Sequence, residues 1–278
     1  MKLGMPQLFE FDNIEDNLKL AKELNLDFIE LNLNFGYCRK EMEAKTVADL
    51  LKKYNIKATL HFYDEADFGT YQEVAEAYLI HMERYCALGE GYIRSMNIHA
   101  IPGPVCTVSG VKNYIYEKDY ADYIPRLLKN LKKAEEICNK HGIMMTIEQT
   151  EGLVPYMERT YKDMCDNNFK FCIDVGHVNV SCGKFYDWCD KYPLHFDESH
   201  FHDGDGKRCH LALVRGSMDK VYAYNLVKKH DEYAKAHGEE MWVNLEVKCS
   251  DDLRTSVPYF RKLMKKLRAF VALFYYKK

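Results

Sequence analysis

Six short apolar runs of the chain end in a histidine, an aspartate or a glutamate. The residues at these ends are His61, His99, Glu148, Asp174, His202 and Glu246. Taken singly, a polar residue at such a position is usually hydrogen-bonded structure. Six ionisable groups brought together would be costly to bury unless a cation or a substrate compensated their charge. The pattern therefore indicates a binding site.

Four of these residues, Glu148, Asp174, His202 and Glu246, belong to the last four runs. Three carboxylates and one imidazole form a donor set that suits Mn²⁺, Mg²⁺ or Co²⁺, and Zn²⁺ is also compatible with it. Such a set leaves coordination positions open for a substrate. We therefore predict one divalent metal ion held by these four side chains.

The secondary structure that positions these residues is indicated by an alternation of apolar runs with helical segments along the chain. The runs span residues 2–8, 27–34, 57–63, 92–101, 143–150, 169–177, 195–202 and 241–248. Between the runs apolar residues recur at helical spacing, as at Ile124, Leu127 and Leu131. Gly142 and Gly238 follow two of these helical segments and suit the left-handed conformation that closes a helix. Eight strands alternating with helices predict a (β/α)₈ TIM barrel, in which the sheet has no open edge.

The domain organisation follows from the even composition of the chain. No linker or composition change divides it, so residues 1–278 are expected to form a single barrel domain. A doubly wound open sheet is the alternative, but such a sheet normally carries a glycine-rich phosphate turn after an early strand, and none occurs here. Active sites of TIM barrels lie at the carboxyl ends of the strands, where the six ionisable residues are expected.

The motifs at these strand ends resemble those of the sugar phosphate isomerase/epimerase superfamily, the xylose-isomerase-like TIM barrels. The resemblance rests on Ile147-Glu148, Asp174-Val175-Gly176-His177, residues 202–208 and Leu245-Glu246, and it extends over essentially the whole chain. It implies that Glu148, Asp174, His202 and Glu246 bind one metal ion and that His177 and Arg208 contact the substrate. In this interpretation His61, His99 and His210 also line the substrate pocket.

The chemistry of these side chains is consistent with isomerisation or epimerisation of a sugar. A divalent metal bound by the carbonyl and the adjacent hydroxyl of a ketose makes the proton on the neighbouring carbon easier to remove. Two carboxylates on opposite sides of that carbon can remove the proton from one face and return it to the other. We expect Glu148 and Glu246 in these roles. The predicted activity is that of an isomerase or epimerase acting on a ketose or a polyol-derived ketone through an enediolate.

A second function within the same superfamily is that of the endonuclease IV-type apurinic-site endonucleases. These enzymes use three Zn²⁺ ions and histidines at positions matching His61, His99, His177 and His210. Their pattern has an aspartate where this chain has Arg208, and a cation is a poor substitute for an anionic ligand. A net charge of −3 also gives no general attraction for nucleic acid, which is not expected as a partner. A barrel that binds sugar without catalysis is the third alternative, and the intact ligand set disfavours it.

Composition and terminal segments give the remaining expectations. No apolar run approaches the roughly 18 residues of a membrane span, and the start lacks the apolar core of a signal peptide, so we predict a cytoplasmic protein without a membrane partner. The ten cysteines are scattered and are expected to be reduced. The apolar stretch at 267–274 favours a homo-oligomer. Two long loops, residues 102–118 and 203–218, are candidates for lids or binding loops, and the first could cover a small sugar or pack against another subunit.

Overall fold

The computed structural model describes residues 1–150, 155–180, 196 and 198–275, and eight of its strands form a closed parallel barrel. These strands are β1 (Lys2–Pro6), β2 (Phe28–Asn32), β3 (Lys57–His61), β4 (Ile93–Ala100), β7 (Met144–Gln149), β8 (Phe171–Asp174), β9 (Glu198–His200) and β10 (Trp242–Asn244). Each pairs with the next barrel strand along the chain, and β10 pairs with β1. The predicted TIM barrel is therefore confirmed.

Helices connect the barrel strands along the outside. They are α1 (Ile14–Glu23), α2 (Gly36–Glu43), α3 (Val47–Tyr54), α4 (Gln72–Gly89), α5 (Ile115–Lys118), α6 (Tyr120–Lys140), α7 (Pro155–Asp166), α8 (Val175–Val180), α9 (Lys220–Ala236) and α10 (Ser250–Tyr275). Among the described residues, no helix is long and apolar enough to cross a membrane.

Local sequence signals explain where these helices begin and end. The side chain of Asn13 caps α1 by accepting a hydrogen bond of 2.8 Å from the amide of Asp16. Ile14, Leu18 and Ala21 form the buried stripe of that helix. Gly142 and Gly238 adopt the predicted left-handed conformation after α6 and α9, with φ of 69° and 78°.

Much of the barrel interior is polar, although TIM barrels are usually filled by branched apolar side chains. Glu30 on β2 and Glu198 on β9 are both buried. Asn244 donates a hydrogen bond of 2.7 Å to Glu30, and Ser95 donates one of 2.6 Å to Glu198. These bonds extend the polar character of the barrel inward from the carboxyl ends of the strands.

The two long loops differ in structure. Residues 102–118 include an antiparallel hairpin of β5 (Val105–Val108) and β6 (Val111–Tyr114), whose Ser109–Gly110 turn has positive φ at both residues. Residues 203–218 are anchored by the buried Asp203, whose carboxylate accepts hydrogen bonds from the amides of Gly204, Gly216 and Met218.

Two of the predicted segments fall partly outside the described residues. His195 and Asp197 of the run at 195–202 are not among them, and the strand there is limited to β9. The apolar stretch at 267–274 lies in α10, and its side chains are also outside the description.

Candidate metal centre

Four buried side chains meet at the carboxyl ends of consecutive strands. They are Glu148 on β7, Asp174 at the end of β8, His200 at the end of β9, and Glu246, two residues after β10. One donor atom of each lies within 4.8 Å of the others. The Nδ1 atom of His200 is 3.1 Å from Glu148 Oε2 and 3.3 Å from Glu246 Oε2.

This cluster contains three of the four predicted ligands together with His200, and the fourth predicted ligand, His202, contacts Asp174 of the cluster. His200 lies in the strand and pairs in register with Asp174 and Asn244. His202 lies beyond the strand, with its Nε2 atom 3.0 Å from Asp174 Oδ1. Its Nδ1 atom accepts a hydrogen bond of 2.8 Å from the amide of His210. His202 therefore contacts Asp174 as closely as His200 contacts Glu148, and its role as a metal ligand stays a prediction.

The donor set fits a divalent metal ion. Its carboxylates and imidazoles are buried and lie within hydrogen-bond distance of one another. Several buried carboxylates in one place are costly unless a positive charge compensates them. Carboxylates and imidazole are ligands of Mn²⁺, Mg²⁺, Co²⁺ and Zn²⁺, so a cation among them would offset the negative charge.

The electrostatics of the cluster favour its charged forms. Burial opposes ionisation of Glu148, but His200 and His61 hold the pKa of this carboxyl well below its usual range. Burial likewise opposes ionisation of Glu246, and Lys248 and His210 hold its pKa well below the usual range. Burial lowers the pKa of His200, and the negative charges of Glu148, Glu30 and Glu246 more than reverse this, so the net pKa is well above normal. A positive charge is therefore stabilised among these carboxylates, as a proton or as a metal ion.

Two further histidines lie beside Glu148. The Nε2 atoms of His61 and His99 are 3.6 Å and 3.8 Å from its Oε2 atom. The rings of the two histidines are in edge-to-face contact, with centroids 4.7 Å apart. Donor atoms of these three residues form a second group that could hold a metal ion or bind substrate oxygens.

A third group consists of His177, His202 and His210. The Nε2 atom of His177 is 3.4 Å from Asp174 Oδ2, and the Nδ1 atom of His210 is 3.4 Å from Glu246 Oε2. Burial lowers the pKa of His210 to about 4, so this imidazole is neutral at pH 7. The group adjoins the metal cluster through Asp174 and Glu246.

Arg208 is not brought to the cluster, unlike the other predicted substrate-binding residues. Its side chain is 73% exposed and forms an ion pair of 2.7 Å with Asp205. The carboxylate of Asp205 also accepts hydrogen bonds from the amides of Lys207 and Arg208, which form a tight turn. This local turn holds the guanidinium against its neighbour in the sequence.

Three residues that the sequence analysis did not select support the cluster. Asn97 donates a hydrogen bond to Glu148, Lys248 pairs with Glu246, and Glu30 contacts His200. Asn97 lies two residues before His99 on β4. Because side chains alternate along a strand, this spacing places Asn97 on the same face as His99 and could have identified it from the sequence. Glu30 had no such signal, because its partner is 170 residues away in the sequence.

Fold and site together define a TIM barrel with a cluster of metal-ligand residues at the carboxyl ends of its strands. The family model of xylose isomerase-like TIM barrels matches residues 18–269. The chain therefore belongs to this family, and the resemblance found in the sequence is confirmed.

Three known proteins are similar over nearly the whole chain. An uncharacterized protein of Methanocaldococcus jannaschii is 24% identical, with 95% of this chain and 100% of that protein covered. The crystal structure of a D-tagatose 3-epimerase-like protein gives a TM-score of 0.76 at 16% identity, covering 98% of this chain and 100% of that one. The structure of IOLI protein with a bound zinc atom gives a TM-score of 0.67 at 13% identity, covering 98% of each chain. At these identities the structural similarities show the shared fold.

Proposed function

We propose that the protein is a sugar isomerase or epimerase that requires one divalent metal ion held by Glu148, Asp174, His202 and Glu246, with His200 as the alternative imidazole ligand. The observation that carries the proposal is the meeting of these buried carboxylates and imidazoles at the carboxyl ends of the strands. The family and the similarity to a D-tagatose 3-epimerase-like protein support a sugar substrate. A related structure with zinc supports a metal ion.

In the proposed reaction Glu148 and Glu246 exchange a proton with the carbon next to the carbonyl of a ketose. The metal ion would act as a Lewis acid toward the substrate oxygens. One glutamate removes the proton from one face of the carbon, and the other returns a proton to the opposite face. Both carboxyls have lowered pKa values, so they are ionised at neutral pH and depend on position for their effect as bases.

The protein fixes each glutamate separately. The amide of Asn97 holds one oxygen of Glu148, and Thr146 donates a hydrogen bond of 3.2 Å to Asn97. The ammonium group of Lys248 holds Oε1 of Glu246. Each of the two carboxylates therefore has its own partner, Asn97 on β4 for Glu148 and Lys248 after β10 for Glu246.

Substrate oxygens would be bound by the histidines around the cluster, His61, His99, His177 and His210. Arg208 has no part in the proposed site, because it is exposed and paired with Asp205. Phe9 follows β1, and its ring lies 6.2 Å from that of Phe35, which follows β2. Phe9 is 84% exposed, so it offers a ring face to the apolar side of a sugar at this end of the barrel.

The test of this proposal combines metal reloading with a screen of ketoses. Protein stripped with a chelator should regain epimerase or isomerase activity with about one equivalent of Mn²⁺, Co²⁺, Mg²⁺ or Zn²⁺ per chain. Glu246→Gln should lose roughly 10²–10⁴-fold in rate, whereas Glu239→Gln, at an exposed residue before β10, should match the native protein. Metal binding without turnover of any ketose would contradict the catalytic part of the proposal and favour a binding protein.

A second candidate, apurinic-site endonuclease activity, is favoured by one structural observation. In the sequence, Arg208 in place of an acidic ligand argues against an endonuclease. In the structure, however, His202 lies with His177 and His210, and these three histidines form a group that could hold a metal ion without an acidic residue at position 208. With the group at His61, His99 and Glu148, the site offers three adjacent sets of ligands. Incision of a duplex containing an abasic site, lost in His61→Ala, would replace the sugar proposal; absence of incision by metal-loaded protein would eliminate this candidate.

A further inference from the structure

The last part of α10 is strongly basic, although the rest of the chain is acidic. Residues 261–278 read RKLMKKLRAFVALFYYKK, with seven Lys or Arg residues and no Asp or Glu. The whole chain has a net charge of −3, so these seven cations leave residues 1–260 with a net charge of −10. Such a charge asymmetry is typical of a segment that binds an anionic partner.

The same part of the sequence is also apolar. Residues 269–275 are seven consecutive uncharged residues, and all of them are Ala, Val, Leu, Phe or Tyr. The backbone is helical as far as Tyr275, so these residues occupy successive positions around the helix axis. Seven residues advance only about 10 Å along a helix, whereas the hydrocarbon core of a bilayer is about 30 Å thick. The segment therefore suits an interface between water and an apolar medium, not a membrane span.

The course of α10 brings this segment to the amino ends of the barrel strands. The helix begins beside Glu10, which follows β1 and accepts a hydrogen bond of 3.0 Å from the amide of Ser250. Further along, Arg261 donates a hydrogen bond of 2.6 Å to the carbonyl of Asn25, which precedes β2. The helical residues after Arg261 continue for about 20 Å past this contact.

A basic groove adjoins α10 at the amino ends of the strands. Its lining includes the cationic side chains of Lys2, Lys22, Lys57, Arg261 and Lys265 and one acidic side chain, that of Asp27. Asp27 lies 3.6 Å from Lys2. A lysine in the last turn of a helix is common, which accounts for Lys22 in α1, but Lys57 and Lys265 do not end a helix. The groove therefore continues the positive charge of α10 across this face of the barrel.

We propose that α10 and the adjoining groove bind the surface of a membrane that contains anionic lipids. Each Lys or Arg near such a surface strengthens binding about fivefold. Apolar and aromatic residues beside these cations bury themselves at the boundary between headgroups and acyl chains. The sequence analysis expects no membrane partner because no run could span a bilayer, but a helix that lies in the interface needs no span.

Two other partners fit these features less well. A second copy of the chain would bring together two segments of the same positive charge. Nucleic acid would pair with the cations but would offer no apolar medium to residues 269–275. Anionic lipids supply both a negative surface and an apolar interior.

The proposed membrane face is opposite to the metal cluster. The groove lies at the amino ends of the strands, whereas Glu148, Asp174 and Glu246 lie at the carboxyl ends. A membrane-bound barrel would therefore keep its mouth open to a water-soluble substrate. The inference does not depend on which reaction the protein catalyses, and its test needs no substrate.

Sedimentation with lipid vesicles tests the proposal. We expect native protein to bind vesicles of equal parts phosphatidylcholine and phosphatidylglycerol, less so at high salt, and to bind pure phosphatidylcholine much more weakly. Lys265→Gln combined with Lys266→Gln, both at exposed residues, should weaken binding to the mixed vesicles by about 25-fold. The control combines Lys129→Gln with Lys132→Gln, at exposed residues of α6 between β4 and β7, and should bind like native protein. Native protein that does not bind the mixed vesicles, or an equal loss in both double variants, would overturn the inference.

Hydrogen exchange of native protein on the mixed vesicles locates the contact. We expect slower exchange in residues 261–275 and 22–27, and unchanged exchange in the loop at 203–218 on the opposite face. Slower exchange at 203–218 without any change in α10 would place the membrane at the mouth of the barrel and overturn the inference.

Discussion

The Nδ1 atom of His200 lies 3.1 Å from Oε2 of Glu148 across the mouth of the barrel. The two residues belong to β9 and β7, and β8 between them contributes Asp174 to the same cluster. Because parallel strands present their carboxyl ends at one side of a barrel, three short strands are sufficient to assemble these ligands.

Asp174→Asn should remove the metal ion and leave the fold intact. The carboxylate of Asp174 accepts hydrogen bonds of 2.7 Å and 2.9 Å from the amides of Gly176 and His177, and the oxygen of an asparagine can replace it there. The lost charge weakens the metal site. Metal content by atomic emission should fall sharply while the melting temperature stays near the native value. Asp166→Asn, at an exposed residue paired with Lys162, is the control; full metal content in Asp174→Asn would contradict the ligand assignment.

Arg208→Ala should leave kcat/KM for the substrate unchanged, because the guanidinium is exposed and paired with Asp205. His177→Ala, which removes a ring 3.4 Å from Asp174, should reduce kcat/KM. Steady-state kinetics on the two variants provides the comparison. A loss of about tenfold or more in Arg208→Ala would show that the loop rearranges and brings this residue to the substrate, as the family resemblance implies.

Asn97→Leu should destabilise the protein and reduce turnover. The substitution keeps the number and branching of side-chain heavy atoms but removes the amide that donates to Glu148, and a buried acceptor left without its donor costs about 1–3 kcal/mol. Chemical denaturation should report this loss, and kcat should fall because Glu148 is no longer fixed. Asn113→Leu in the exposed β6 is the control. Native kcat in Asn97→Leu would show that this amide does not position the base.

Glu198→Gln should stabilise the protein at alkaline pH. Burial, together with the charge of Glu30, raises the pKa of Glu198 to about 7. The unfolded chain releases this proton near the ordinary pKa of about 4.3, so the native state binds more protons between these values and its stability falls as pH rises through that interval. Glutamine does not ionise, so it does not lower the stability of the native state over this pH interval. Urea denaturation should show the variant to be more stable than native protein by about 1–3 kcal/mol at pH 8, with the difference vanishing near pH 4; an equal difference at both values would contradict the assignment.

The barrel could be predicted from the sequence because eight apolar runs alternate with helical segments, a pattern that few folds satisfy. The predicted run at 57–63 contains β3, and that at 143–150 contains β7. The hairpin of β5 and β6 was missed, although Ser109–Gly110 between two short runs is a two-residue turn signal.

The site was predictable only to the level of residue type and strand. His200 and His202 are two residues apart, so the alternation of side chains gives both the same direction, and only the end of β9 separates them. The position of Arg208 depends on a turn closed by Asp205, and the contact of Glu30 with His200 depends on closure of the barrel. These relationships are tertiary and have no local signature.

The central claim is that Glu148 and Glu246 exchange a proton with the carbon next to the carbonyl, and turnover in D₂O tests it most directly. Metal-loaded protein incubated with a ketose that it converts should place solvent deuterium on that carbon, detectable by proton NMR and mass spectrometry. Glu246→Gln should lower the rate by roughly 10²–10⁴-fold, as expected for loss of an acid–base group. Product formed at the native rate without deuterium at that carbon would indicate a hydride shift, and it would contradict the proton-transfer roles of Glu148 and Glu246.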